Sequence, residues 1–563
     1  MLTRALRLVC LALLIASASI GLLSRISAQT TPKRAAKLAR VPQPRPVQME
    51  NGRVLGVLTP DAQVIAYKGI PYAQPPIDEL RWRAPQPIFG KWKKVLYAQD
   101  FGPHCIQSGS FPDMVFHDPG PSEDCLTLNV WTPSSATARS ARKGAAGLPV
   151  MVWIYGGGFT TGGSSEARQD GQFLARRGVI VVSMNYRLGI FGFLSLPELA
   201  DEDPHHSAGN YGLLDQAAAI TWVHRNIAAF GGDPNNVTIF GESAGSMSVS
   251  AQMASPVAAT LFARAIGESG SEFPAGRTMP VLAQAASINA AWATRAFGSN
   301  KLFYLRQLPA DEIMQAATSR NGNAPRFGPI VDGYFLPDTI AHIYADGKQA
   351  HIPLLAGWNA DDVPGNPPPP LPKADAFVAQ LRNAFGDRLK DALAVYPIST
   401  EAEALRSAGN YASDRAIGYS TWAWLEAHSR TGDAPVYRYH FELPNPGDRN
   451  HTTDVGAYHS DEIEYVFGTL DSRPQMKVRP EDRALSELMQ QYWINFARTG
   501  DPNGAGLPQW PSYNQATGTL RMSGTASGDA YPVMHLDATS IAKPDTLRPR
   551  YLFLDQFWGM QTK

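Results

Sequence analysis

Three short segments are apolar at almost every position rather than at alternate ones: residues 149–155, 179–184 and 237–240. Strands apolar on both faces belong inside a parallel sheet covered by helices. Between the last two, Leu213, Ala217, Ile220, Val223 and Ile227 recur at helical spacing, predicting a helix over 213–229 that stops at Gly231-Gly232-Asp233-Pro234. A shorter helical stretch, 171–177, separates the first two. This alternation predicts an α/β fold with a mainly parallel sheet. Residues 64–67 read as a short strand, 126–131 alternate and stop before Pro133, and Asn51-Gly52 signals a hairpin turn. The C-terminal half reads as more helical and loop-rich. Leu485, Leu488, Met489, Tyr492, Trp493 and Phe496 line one helix face, ended by Thr499-Gly500-Asp501-Pro502, and the proline-rich stretch 364–372 reads as a loop. There is no internal repeat.

The N-terminus follows a different pattern. Arg4 and Arg7 precede an apolar run from Leu8 to Leu23, then Ser24-Arg25-Ile26-Ser27-Ala28. A basic start, an apolar stretch and a small residue at the cut describe a secretory signal peptide, with cleavage expected after Ala28 and Ala18 as the second site. The run holds Ser and Gly and is short for a span of about 20 residues. No other segment is long and apolar enough to cross a bilayer, so no integral membrane segment is expected after cleavage. The expected layout is a signal peptide over 1–28, a Pro- and Lys/Arg-containing tether over 29–46, and a globular part from 47 to 563, secreted or periplasmic. Of three cysteines, Cys10 leaves with the signal, and Cys105 and Cys125 remain. In an oxidising compartment two cysteines can pair in one way; the alternative is two free thiols.

Charge narrows the function classes. Fifty Lys+Arg balance fifty Asp+Glu, which argues against a nucleic-acid partner, since such proteins need a basic excess. Aromatic residues at 10% and charged ones at 18% exclude wholesale disorder. The 49 Gly and 45 Pro imply many turns and long loops.

The chemistry concentrates after two of the buried strands. Residues 237–240 run straight into Gly241-Glu242-Ser243-Ala244-Gly245, followed by a helix-compatible run. A serine on a tight strand-to-helix turn stands exposed at the sheet edge, and its small neighbours let the chain pass closely. The N–H groups that begin the helix face any negative charge developing there. Gly156-Gly157-Gly158 follows residues 149–155 and can turn N–H groups toward an oxyanion. A nucleotide-binding loop is a weak rival, because neither Gly-Lys-Ser/Thr nor Gly-x-Gly-x-x-Gly spacing is present.

With these segments, the chain resembles the carboxylesterase/cholinesterase (type B carboxylesterase) family of α/β-hydrolases. The resemblance spans nearly the whole mature chain. It includes Lys68-Gly-Ile-Pro-Tyr-Ala-Gln-Pro-Pro76, Leu80-Arg-Trp-Arg-Ala-Pro85, Glu123-Asp-Cys-Leu-Thr-Leu-Asn-Val130, Asn185-Tyr-Arg-Leu188, Gly209-Asn-Tyr-Gly-Leu-Leu-Asp-Gln216 and Phe327-Gly-Pro-Ile-Val-Asp-Gly333. It implies an α/β-hydrolase fold and carboxylic-ester hydrolysis with no cofactor and no metal, on a small-molecule ester. Ser243 would be the nucleophile, Gly157, Gly158 and Ala244 the oxyanion-hole donors, and His459, in Gly456-Ala-Tyr-His459-Ser-Asp-Glu-Ile-Glu-Tyr, the general base. The family's disulfide before its Glu-Asp-Cys-Leu segment supports Cys105–Cys125. The acid departs from the pattern. The family's Gly-x-Asn-x-Asp-Glu-Gly reads Gly357-Trp-Asn-Ala-Asp361-Asp362-Val363 here, so Asp362 stands at the Glu position, with Asp361 as the alternative.

Among the remaining histidines, His224 reads as a packing residue of its helix, and His205-His206 as a polar loop pair without further metal ligands. Phe159, Phe191, Phe193 and Trp358 are candidates either for an apolar substrate pocket or for the core. The 105–125 loop has Phe111, Met114, Val115 and Phe116 but no Trp. The matching cholinesterase loop carries one for quaternary ammonium, which speaks against choline esters. The alternatives are a hydrolase for bulky, aromatic or polyester substrates, carbamates or amides, and a non-catalytic adhesion protein of the same fold. Length alone suggests three or four domains. The spread of the motifs from 153 to 459 instead points to one large domain. The oligomeric state is left open.

Overall fold

A computed structural model describes residues 44–136, 146–276, 278–319, 323–364, 370–444, 456–473, 477–514 and 531–559. The expected signal peptide, and the expected tether up to residue 43, lie outside the described residues, as do 365–369 of the proline-rich loop. Residues Gln43–Lys563 form one compact unit.

Its framework is a sheet of eleven strands: β1 Val57–Leu58, β2 Val64–Pro71, β3 Thr127–Pro133, β4 Leu148–Ile154, β5 Ile180–Met184, β6 Gly232–Glu242, β7 Arg264–Glu268, β8 Leu354–Asn359, β9 Val436–Phe441, β10 Pro532–Leu536 and β11 Ile541–Pro544. Their spatial order is β11-β10-β9-β8-β7-β6-β4-β5-β3-β2-β1. Neighbours from β5 through β4 and β6 to β10 are parallel, and the pairs outside that set are antiparallel. The three mostly apolar segments of the sequence are β4, β5 and the end of β6, at the centre. Val150–Ile154 and Ile180–Val182 are completely buried, as strands covered on both faces must be. The chain leaves β4 for β5 on one side and returns to β6 on the other. This reversal opens a crevice beyond the carboxyl ends of β4 and β6, where ligands bind in such sheets.

The expected helices are α1 Tyr211–Asn226, followed by a 3₁₀ turn Ile227–Phe230, and a short helix Gln172–Arg176. Next come α2 Ala244–Ala254, α3 Glu401–Ser413, α4 Tyr419–Thr431 and α5 Pro480–Thr499. Helices α1, α2 and α5 pack on the central strands. The apolar face read from Leu485 to Phe496 is buried in α5 at Leu485, Met489, Tyr492, Trp493 and Phe496. A π-helical turn, Asp414–Gly418, joins α3 to α4. Among the described residues no helix is long and apolar enough to cross a membrane.

Two local expectations are corrected. The N-terminal hairpin pairs Met49 with Gly52, so Glu50-Asn51 rather than Asn51-Gly52 forms the turn. His224 does not pack inside: it is exposed on α1, with its Nδ1 3.2 Å from the Pro234 carbonyl.

Candidate active site

The strand-to-helix turn after β6 carries Ser243 at φ +57° and ψ −123°, a conformation that non-glycine residues rarely adopt. Such strain costs on the order of 1–3 kcal/mol and persists only where the surroundings impose it. Here the Ser243 N–H is held by the Glu268 carbonyl at 2.8 Å, while α2 begins at Ala244. A Cβ on Gly245 would collide with the Ile154 carbonyl oxygen. The second glycine of the motif is therefore what lets α2 start against the end of β4.

His459 and Asp362 meet this serine. His459 Nε2 lies 2.8 Å from Ser243 Oγ, and His459 Nδ1 lies 2.6 Å from Asp362 Oδ1. A carboxylate can only accept, so Nδ1 donates to it and Nε2 is left to accept the serine proton. Asp362 is fully buried, and its other oxygen accepts the Asn359 N–H at 2.9 Å. Its own N–H donates to Ser413 Oγ at 3.2 Å. The shorter Asp side chain thus reaches the histidine from the end of β8. Asp361 points elsewhere: its carboxylate takes the Arg406 guanidinium at 2.6 and 3.2 Å and the Gly456 N–H.

Gly157 and Gly158 border the same cavity as Ser243 and Ala244. They take φ values of +109° and +65°, and a Cβ on Gly157 would run into the Thr161 carbonyl oxygen. Ala244, the first residue of α2, has an N–H with no partner inside its own helix. All eight predicted site residues are accounted for: Ser243, His459, Asp362, Gly157, Gly158 and Ala244 converge, and Cys105 is bonded to Cys125. The loop that this disulfide closes brings Phe111, Asp113 and Met114 to the cavity wall. Phe159, Phe191, Phe193 and Trp358 do not line the cavity. Phe159 and Phe193 pack edge-to-face at 5.4 Å, Phe191 stacks with Trp82 at 6.3 Å, and Trp358 carries the Arg438 guanidinium at 4.3 Å.

Several polar groups around the row were missed by sequence reading. Burial pushes Glu242, beside Ser243, up to about 7 against the opposing pull of His459; its Oε1 lies 3.3 Å from His459 Nε2. Burial pushes Glu268 up to about 8, although the Trp493 indole donates to it at 2.8 Å. Glu462 is raised well above the usual range, first by burial and then by Glu242, Glu268 and Asp362. It accepts Asn359 Nδ2 at 2.5 Å and Ser269 Oγ at 3.3 Å. These carboxyls come from three different segments, so no local motif announces them.

The cavity holds about 300 Å³ and also touches Arg168, Arg326 and Arg415. Arg168 is buried against Glu166 and lies 3.1 Å from Asp113. Arg326 and Arg415 are exposed and form no ion pair among the described residues.

Comparison with known proteins agrees with this geometry. The Carboxylesterase family model matches residues 43–530. The chain is 38% identical over 488 residues to the para-nitrobenzyl esterase of Bacillus subtilis (strain 168), covering 84% of this chain and 93% of that one. It is 34% identical to the fumonisin B1 esterase of Sphingopyxis macrogoltabida, covering 83% and 84%. It is 36% identical to carboxylesterase 1D of Rattus norvegicus, covering 85% and 89%. A solved PNB esterase superposes with a TM-score of 0.74 at 34% identity, over 90% of this chain and 98% of that one. The fold is that of the α/β-hydrolases, the activity is carboxylic-ester hydrolysis by a serine hydrolase, and the chain belongs to the carboxylesterase family.

Proposed function

We propose that Ser243 is the nucleophile of this esterase, His459 its proton carrier and Asp362 the carboxylate that orients the imidazole. The observation that carries this assignment is the unbroken hydrogen-bonded row from Asp362 through His459 to Ser243 at the cavity wall. His459 Nε2 takes the serine proton as Oγ attacks the ester carbonyl. The developing oxyanion settles against the N–H groups of Gly157, Gly158 and Ala244, each worth about 3 kcal/mol of transition-state stabilisation. His459 then protonates the departing alcohol, leaving an acyl-serine. Water repeats the sequence and frees the acid. Asp362 keeps its hydrogen bond to His459 Nδ1, takes no proton in the cycle and stabilises the imidazolium.

The enzyme acts after export, a reading supported by the basic-then-apolar N-terminus and the Cys105–Cys125 bond. The cavity volume lies at the lower end for small-molecule pockets, which favours an acyl or alcohol group of modest size over a polymer.

Steady-state hydrolysis of p-nitrophenyl butyrate by Asp362→Asn and Asp361→Asn tests the acid. Asp362→Asn should lose roughly 10⁴-fold in kcat by stranding His459 in the wrong tautomer. Asp361→Asn should stay within about tenfold, because its carboxylate serves Arg406 and Gly456 instead. The reverse ranking would move the acid to Asp361, and two unchanged rates would place it elsewhere.

A further inference from the structure

We propose that His440, Glu442 and His535 form a binding site for one divalent transition-metal ion of the zinc class, separate from the ester-cleaving row. β9 and β10 run parallel with His440 opposite His535. The ladder continues one step further, where the Glu442 N–H donates to the Leu536 carbonyl at 2.9 Å. Residues two apart along a strand share a face, so His440 and Glu442 stand side by side and His535 stands across from them. His440 Nδ1 and His535 Nδ1 each lie 2.8 Å from the same oxygen, Glu442 Oε1. One donor atom from each residue falls within 4.8 Å of both others.

The donor chemistry selects the ion. Two imidazole nitrogens and one carboxylate oxygen suit zinc, nickel or copper; magnesium and calcium prefer all-oxygen shells. Three protein ligands leave a fourth position for water, the open pattern of tetrahedral zinc sites. Bonds of about 2.0–2.1 Å put ligand atoms roughly 3.3 Å apart around a tetrahedral ion. The present 2.8 Å hydrogen bonds need to open by only about half an ångström for the ion to replace the shared protons. Side-chain exposures of 11%, 29% and 17% for His440, Glu442 and His535 let an ion enter without unfolding. The backbone on either side is tied into the sheet, so the three side chains are already gathered.

The site lies on the sheet that carries the acid, yet uses none of its groups. His440 faces Trp358 across the β8–β9 ladder, with the ring centroids 6.1 Å apart. Among the described residues, neither forms a hydrogen bond or ion pair with Ser243, and the hydrogen-bonded row runs through Asp362 and His459 instead.

The test is zinc titration by calorimetry of the chelator-treated, untagged chain, with cobalt(II) absorption as a second readout. The expected result is one ion per chain, visible bands of four-coordinate cobalt, and a zinc-dependent rise in Tm. Losing a direct ligand should cost more than the roughly 10–100-fold that losing an outer partner costs. His535→Gln and Glu442→Gln should therefore each weaken binding at least a hundredfold and abolish the Tm rise, while p-nitrophenyl butyrate hydrolysis continues. Glu442→Gln keeps the side-chain shape, and that retained hydrolysis reports that each variant is folded. Absence of a one-to-one isotherm in the wild type, or equal zinc affinity in wild type and both variants, would overturn the proposal.

Discussion

Glu268 shows how much of the site's electrostatics lies beneath the reacting atoms. Its carboxyl is buried at the end of β7; one oxygen accepts from the Trp493 indole and the other has no partner among the described residues. Burial raises it from 4.5 to about 8. The folded state therefore keeps a proton that the unfolded chain releases, and the stability tied to Glu268 is lost as pH rises from 4.5 through about 8. Glu268→Gln should flatten the fall in Tm across that window and raise Tm at pH 8; an unchanged slope by calorimetry would mean that the charge is accommodated elsewhere. Glu242, raised to about 7, keeps part of the slope in the variant. At this scale sequence reading divides by locality. Ser243, His459 and Asp362 were legible because each sits in a short segment with its own signature. Asp362 was read ahead of Asp361 from its place in the segment, and the structure turns that carboxylate, not its neighbour's, toward His459. The glutamates were illegible because burial, not residue type, makes them unusual.

Elements were legible where one physical demand ruled them. β4, β5 and the end of β6 are buried on both faces and mostly apolar, and α5 keeps its stripe through to Phe496. β9 was missed because its buried positions include Arg438 and His440, whose polarity hides the pattern of a covered strand. Arg438 lies at 1% exposure beside Asp545, a pairing no periodicity reveals. The π-helical turn Asp414–Gly418 was equally silent. It places Arg415, Ala416 and Ile417 along the cavity wall, and single π turns inside α-helices recur at functional sites. Asp113 is engaged by Arg168, whereas Arg415 and Arg326 form no ion pair among the described residues and bring positive charge to the cavity lining, Arg326 with Glu272 in its field. Esters with a carboxylate near the scissile bond should be preferred. Arg326→Gln/Arg415→Gln should lower kcat/KM for mono(4-nitrophenyl) glutarate about tenfold or more, the worth of one charge-assisted hydrogen bond. The same change should leave p-nitrophenyl butyrate within about twofold, and added salt should erode the preference. Equal losses on both substrates would point to a packing role.

Over the whole molecule, one feature of topology gathers these parts. The chain reverses direction at β4, so the glycine turn after β4 and the serine turn after β6 open onto one crevice. Asp362 arrives just after β8, and His459 follows β9. Long connections are thus the consequence of drawing one site from strands spread across the sheet, which accounts for the many Gly and Pro residues. From Gln43 the chain forms one compact unit, within which Ser243, His459 and Asp362 meet. Ser243 alone is expected to form the covalent intermediate. Mass spectrometry of the protein after treatment with an organophosphonate ester probe tests it most directly. One adduct per chain is expected, on the peptide containing Ser243, matched by loss of esterase activity and absent from Ser243→Ala. Labelling of another residue, or substantial ester turnover by Ser243→Ala, would contradict it.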